Sequence, residues 1–104
     1  MGVAPDQQQN IQTITRNFTL SAGVAAQIVP ANAGRKFLLI QNTGVGGPAT
    51  IKEDSAPTAG GGMSLDAASG AGGQGGSWNP TEVVPTNAYW AISAAGTTII
   101  TMEG

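Results

Sequence analysis

The sequence predicts an all-β fold, a small antiparallel β-sandwich or jelly-roll-like barrel, and three observations carry that prediction. Short apolar stretches alternate with polar residues at a period of two, the repeat of a strand with one buried face. Gly, Pro, Asn and Ser clusters interrupt the chain every eight to twelve residues or so, the spacing of turns in sandwiches and barrels. No segment places apolar residues at i, i+3, i+4 and i+7 over three turns, so no amphipathic helix is expected. With 104 residues the chain is long enough for one domain. A domain of that size buries roughly 60–65% of its unfolded surface, which makes a thin core.

Each element follows from its residues. Residues 1–10 are polar and aperiodic and read as an N-terminal arm; residues 11–104 form the single sandwich domain. Between 12 and 20 the even positions carry Ile14, Phe18 and Leu20, and the odd positions Thr13, Thr15, Asn17 and Thr19; Arg16 interrupts the apolar side. Residues 26–29 make a short strand closed by Pro30. Asn32, Ala33 and Gly34 make a turn, with Gly34 expected at positive φ. Phe37, Leu38, Leu39 and Ile40 are an unbroken apolar run, which predicts a central strand buried on both faces. Residues 42–48 carry turn chemistry and residues 49–53 a further strand.

Residues 59–76 hold eight of the 16 glycines and read as a long Gly-rich loop. Inside it Met63 and Leu65 alternate as a brief edge strand. A short strand is expected at 82–84 and a turn at 85–87. Residues 89–93 form a strand with Trp90 and Ile92 on one face, assigned to the core. Ala94, Ala95 and Gly96 fit a three-residue hairpin loop with Gly96 left-handed. The chain returns through residues 97–102, rich in Thr and Ile.

Charged residues are 10% of the chain, against about 25% in an average soluble domain. So little charge repels neighbours weakly, which points to a surface covered in use. A net charge of −2 and a single adjacent basic pair, Arg35 and Lys36, argue against nucleic acid, whose phosphates call for clustered Lys and Arg. That pair reads as solvated residues at a strand edge. No apolar run reaches the length of a membrane span, and residues 1–12 lack the basic and apolar regions of a secretory signal.

The chain has neither His nor Cys. The commonest general base, the commonest metal ligand and the thiol nucleophile are therefore absent, and the Ser-His-Asp and Cys-His arrangements cannot form. Glu53 and Asp54 are adjacent, so on a strand they face opposite ways and do not converge on one bond. The match to G-x-G-x-x-G at 70–75 precedes Ser77, Trp78, Asn79 and Pro80, which cannot open the helix a dinucleotide site needs. No enzyme, cofactor or metal is expected. Ile11, Trp78 and Tyr89 are the candidate interface residues, the two aromatics because such rings dominate interface hot spots. A sugar-stacking platform is the rival use of Trp78 and Tyr89.

The segment from Arg35 through Asn42, followed by Thr43 and Gly44, resembles a recurring stretch of small tailed-phage virion proteins. So do Ser55, Ala56, Pro57, Thr58 and Ala59 with the Gly run after them, and the pattern from Val84 to Thr97. Over residues 20–104 the chain looks like a capsid decoration protein, also called a cement or head auxiliary protein. The resemblance implies a small β-sandwich or jelly roll on the outer surface of the virion, made in the host cytoplasm. It implies the major capsid protein and further copies of itself as partners, with a homotrimer as the expected assembly. The implied work is non-enzymatic: bridging capsid subunits and stabilising the assembled head. Proteins of similar texture occur as head fibres and tail parts, so a carbohydrate- or receptor-binding β module is the alternative. The Gly-rich stretch at 59–76 exceeds the family pattern.

Overall fold

Eight strands and no helix form in the structure, a computed structural model that describes residues 13–70 and 74–104. In chain order they are β1 (Ile14–Leu20), β2 (Ala26–Val29), β3 (Leu38–Asn42), β4 (Ala49–Glu53), β5 (Met63–Leu65), β6 (Ser77–Trp78), β7 (Tyr89–Ile92) and β8 (Thr97–Glu103). The pairs are nested and antiparallel: β1 with β8, β2 with β7, β3 with β6, and β4 with β5. This is one long hairpin folded at its middle. Rolling it up brings β3 against β8 and β4 against β7. The result is two four-stranded sheets, β1-β8-β3-β6 and β2-β7-β4-β5, in the strand order of a jelly roll.

The inner faces supply the core. Ile99 lies between Phe18 of β1 and Asn42 of β3 in the first sheet, and Leu38 and Ile40 complete that sheet's fully buried inner row. Ala49, Ile51, Ala91, Val29 and Leu65 answer from the second sheet. Burying each of the larger aliphatic side chains contributes about 1.5–3 kcal/mol, the main favourable term in a domain this thin.

Several expectations meet a different arrangement. Residues 82–84 do not form a strand; the strand of that region is β6 at Ser77–Trp78, which pairs with β3 at the edge of the first sheet. β3 is an inner strand, but only Leu38 and Ile40 are fully buried. Phe37 is 36% exposed and Leu39 half-buried, because no layer covers the outer side of this sheet among the described residues. On β7 the parity is the reverse of that expected: Tyr89 and Ala91 face inward and are buried, while half-buried Trp90 faces out between Gln27 and Lys52. Trp90 and Ile92 do share a face, and it is the outer one. Ile92 and Thr50 are buried there beside residues 54–62, whose Gly60 N–H donates to the Thr50 hydroxyl at 2.9 Å.

Turn chemistry holds at the β7–β8 hairpin, where Gly96 has φ +84° and its N–H donates to the Ser93 carbonyl. Gly34 is not left-handed. Its turn is held by the Asn32 side chain, whose Oδ1 accepts from the Gly34 N–H at 3.0 Å.

Candidate interaction surface

Charge is distributed unevenly along the sandwich. β1 runs towards one end and β8 starts from it; there the 21–25, 43–48 and 93–96 loops meet. The Gly23 N–H donates to the Ser93 carbonyl, the Ala68 N–H to the Gly44 carbonyl, and Gly47 lies against Ala95. The exposed residues of this tip are small or apolar: Ala22, Val24, Val45, Ala94 and Ala95, with Val24 and Val45 each 57% exposed. An open groove of about 380 Å3 crosses it, lined by Thr19, Leu20, Ala22, Val45, Ala95 and Thr98 among others, with no ionisable side chain. Asp66, at the end of β5, is the one charged residue on this side among the described residues.

The opposite end carries the rest of the charges among the described residues. Lys52, Glu53 and Asp54 close β4, Glu82 sits in the β6–β7 connection, and Arg16, Arg35, Lys36 and Glu103 gather where β8 finishes. The Glu103 carboxylate accepts from Arg35 Nε at 2.8 Å, Arg16 Nη1 at 2.6 Å and Asn32 Nδ2 at 3.3 Å. Arg35 is not the solvated strand-edge cation expected. It is 4% exposed and spends its remaining donors on the carbonyls of Pro30, Pro85 and Asn87. Arg16, which interrupts the apolar side of β1, does so to reach the same carboxylate. Burial pushes the Glu103 carboxyl up. The hydrogen bonds from Arg35, Arg16 and Asn32, together with the Arg35 charge, outweigh burial and hold it below the usual glutamate value. This cluster fastens three elements and neutralises part of its charge internally.

A second buried polar node lies under the tip. Asn42 is fully buried; its Nδ2 donates to the Gly47 and Leu65 carbonyls, and its Oδ1 accepts from the Gly44 N–H and the Thr97 hydroxyl. One side chain thereby ties the 43–48 loop to β5 and β8 and shapes the wall of the groove.

The structure brings Trp78 and Tyr89 together, with ring centroids 5.2 Å apart and planes tilted by 52°. They meet between the sheets. Trp78 stands beside Ile40 on the first sheet and Tyr89 belongs to the buried cluster, so the pair fastens core to core. Tyr89, at 4% exposure, has no ring face to offer a partner, which corrects its assignment as a surface anchor. Burial first, and then the Glu53 charge, push its phenol up. Trp78 keeps a partly exposed edge. Ile11 lies outside the described residues. Sequence reasoning missed Val24 and Val45, and the available signal was weak: lone valines inside Gly- and Ala-rich turns, where an apolar side chain has no strand neighbours to cover it. Among the described residues no group of three or more acidic side chains converges to hold a metal ion.

Compared with models of known protein families, with curated proteins and with solved structures, the chain matches none.

Proposed function

We propose that the chain is a non-enzymatic structural protein of a phage virion that docks on the outer capsid surface and stabilises the assembled head by bridging its subunits. The observation that carries the reading is the segregation of charge. A tip built of Ala, Val, Gly and Thr around an uncharged groove can lie against a protein surface without stranding an ion, whose burial unpaired is costly. The eight-stranded jelly roll is an architecture found in viral capsid and lectin domains, which fits the reading without assigning it. The texture of residues 35–44, 55–62 and 84–97 supplies the choice of a phage shell as the partner. The mechanism is linkage: a protein that binds the assembled shell and not its free subunits shifts the equilibrium towards the shell. Self-association belongs to the same reading, with three copies the number expected from the resemblance.

The test replaces Val24 and Val45 together by Asp in the full chain and measures occupancy on purified heads. Both sites are exposed, so the variant folds, as its circular dichroism will show. Two carboxylates carried into an apolar contact lower occupancy by about tenfold or more. Undiminished occupancy with a folded variant removes the tip from the docking role.

A further inference from the structure

The two sheets have four edges, and three are blunted. β2 carries a bulge between Gln27 and Val29 and ends at Pro30. β5 is three residues long beside the glycines at 60–62, and β6 is two residues long with Pro80 close behind. These are the usual devices that stop a sheet from adding a foreign strand. β1 has no bulge, proline or shortness of this kind. It is seven residues long with an unbroken register against β8 and without Pro, Lys or bulge; the one inward charge it carries, Arg16, would guard the edge if left unpaired but is neutralised by Glu103 within the same sheet. Among the described residues nothing pairs with its outer edge.

We infer that β1 is a self-pairing edge: two copies of the chain join β1 to β1 antiparallel about a twofold axis, and the first sheet runs on as eight strands. The occupant follows from the side chains. A twofold through Asn17 is the only antiparallel register that pairs all seven residues. It sets Thr15 against Thr19, Ile14 against Leu20, and Arg16 against Phe18. Hydroxyl meets hydroxyl, apolar meets apolar, and no like charges stand opposite, the combinations that stabilise neighbouring strands. A twofold through Arg16 would instead set that cation against itself. A threefold ring built by sheet continuation needs two different open edges, since its contacts are heterologous. Only one edge is open, so pairing at β1 makes twos and not the threes that the resemblance implies. Because the strands are antiparallel, the two largely apolar tips of a pair point in opposite directions. Joined to the docking reading, one pair reaches two separate shell sites; the pairing itself does not rest on that reading.

The experiment is sedimentation velocity on the full chain in solution, with no shell present, over micromolar to millimolar concentrations. Asn17 is exposed on the outer face, so Asn17→Lys and Asn17→Asp leave the fold intact, checked by circular dichroism. The wild type sediments as a concentration-dependent pair. Each variant alone sets like charges together at the axis and associates roughly tenfold more weakly or worse, and mixing the two restores pairs. Three results overturn the proposal: a wild type that stays monomeric, an oligomer of three copies, or association that Asn17→Lys leaves unchanged. A monomer whose outward-pointing β1 amides, those not bonded to β8, are protected from hydrogen exchange would assign the edge to the chain's own residues 1–12, which overturns it equally. Undiminished shell binding by the Val24 and Val45 variant, with pairing intact, would sink the docking reading and leave this one standing.

Discussion

Glu103 shows how one residue near the end of the chain gathers distant parts of it. Its two arginine partners lie 87 and 68 positions away in sequence. A carboxylate that is 1% exposed is tolerable only because those cations and Asn32 complete its hydrogen bonds. Replacing it by Gln leaves Arg35 buried without its counter-charge. Glu103→Gln is expected to lose about 3–5 kcal/mol of unfolding free energy in urea. The pH dependence follows from the direction of its shift. Its folded pKa lies below the ordinary 4.5, so the unfolded chain binds the proton more readily. The stability it contributes is complete above about pH 4.5 and is lost as pH falls through the lower folded value. Urea midpoints of the wild type should therefore drop across that acid range, and those of Glu103→Gln should drop less. Two hydroxyls, Ser93 Oγ and Thr101 Oγ1, are buried with no partner among the described residues.

At the scale of elements, the Gly-rich stretch is not uniform. Its first part turns into β5, and its end is docked: the Gly75 N–H donates to the Asn42 carbonyl, the Gly76 N–H to the Asp66 carbonyl, and the Asn42 N–H to the Gly76 carbonyl. A Cβ on Gly75 would run into the carbonyl oxygens of Asn42 and Asp66, and backbone atoms cannot step aside as a flexible side chain can. A Cβ on Gly70 meets nothing. Gly75→Ala should therefore destabilise by about 2 kcal/mol while Gly70→Ala stays within about 0.5 kcal/mol of the wild type, both read from thermal or urea unfolding. Equal effects at the two positions would show that the docked segment contributes no stability. The same contrast accounts for what composition could reveal here. A high glycine count marks a loop, but the choice between open loop and packed loop rests in part on the Asn42 carbonyl supplied by β3, outside the stretch itself.

At the scale of the whole molecule, the fold sorts a small number of charges. Those at the far end are partly neutralised by one another, and the tip, Asp66 apart, is left to apolar and hydroxyl groups. Binding through such a tip has little Coulombic content. Occupancy on heads should change by less than about twofold when ionic strength rises from about 0.05 to 0.5 M, over which the screening length falls severalfold. A steep loss with salt would locate the contact at the charged end instead. Jelly-roll topology makes the arrangement possible, since alternate strands deliver their loops to opposite ends and a loop's composition becomes the composition of an end.

What the sequence determined by itself is local: where most strands run (82–84 and Ser77–Trp78 excepted), that no helix forms among the described residues, and that Gly96 turns the last hairpin. Period-two alternation and turn residues act within a few positions of one another, so they are legible in a linear string. What only the tertiary structure decided is relational. Alternation says that Tyr89 and Trp90 face opposite ways; contact with Trp78 across the sandwich decides that Tyr89 is the inner one. Composition says that Arg16 and Arg35 are scarce cations; the rolling of the hairpin decides that both meet Glu103. Strand length says that β1 is strong; the strand order alone decides that it is an edge. The reason is the same each time. A face, a partner or an edge is defined by what lies on the other side, and in a nested hairpin that neighbour comes from the far end of the chain.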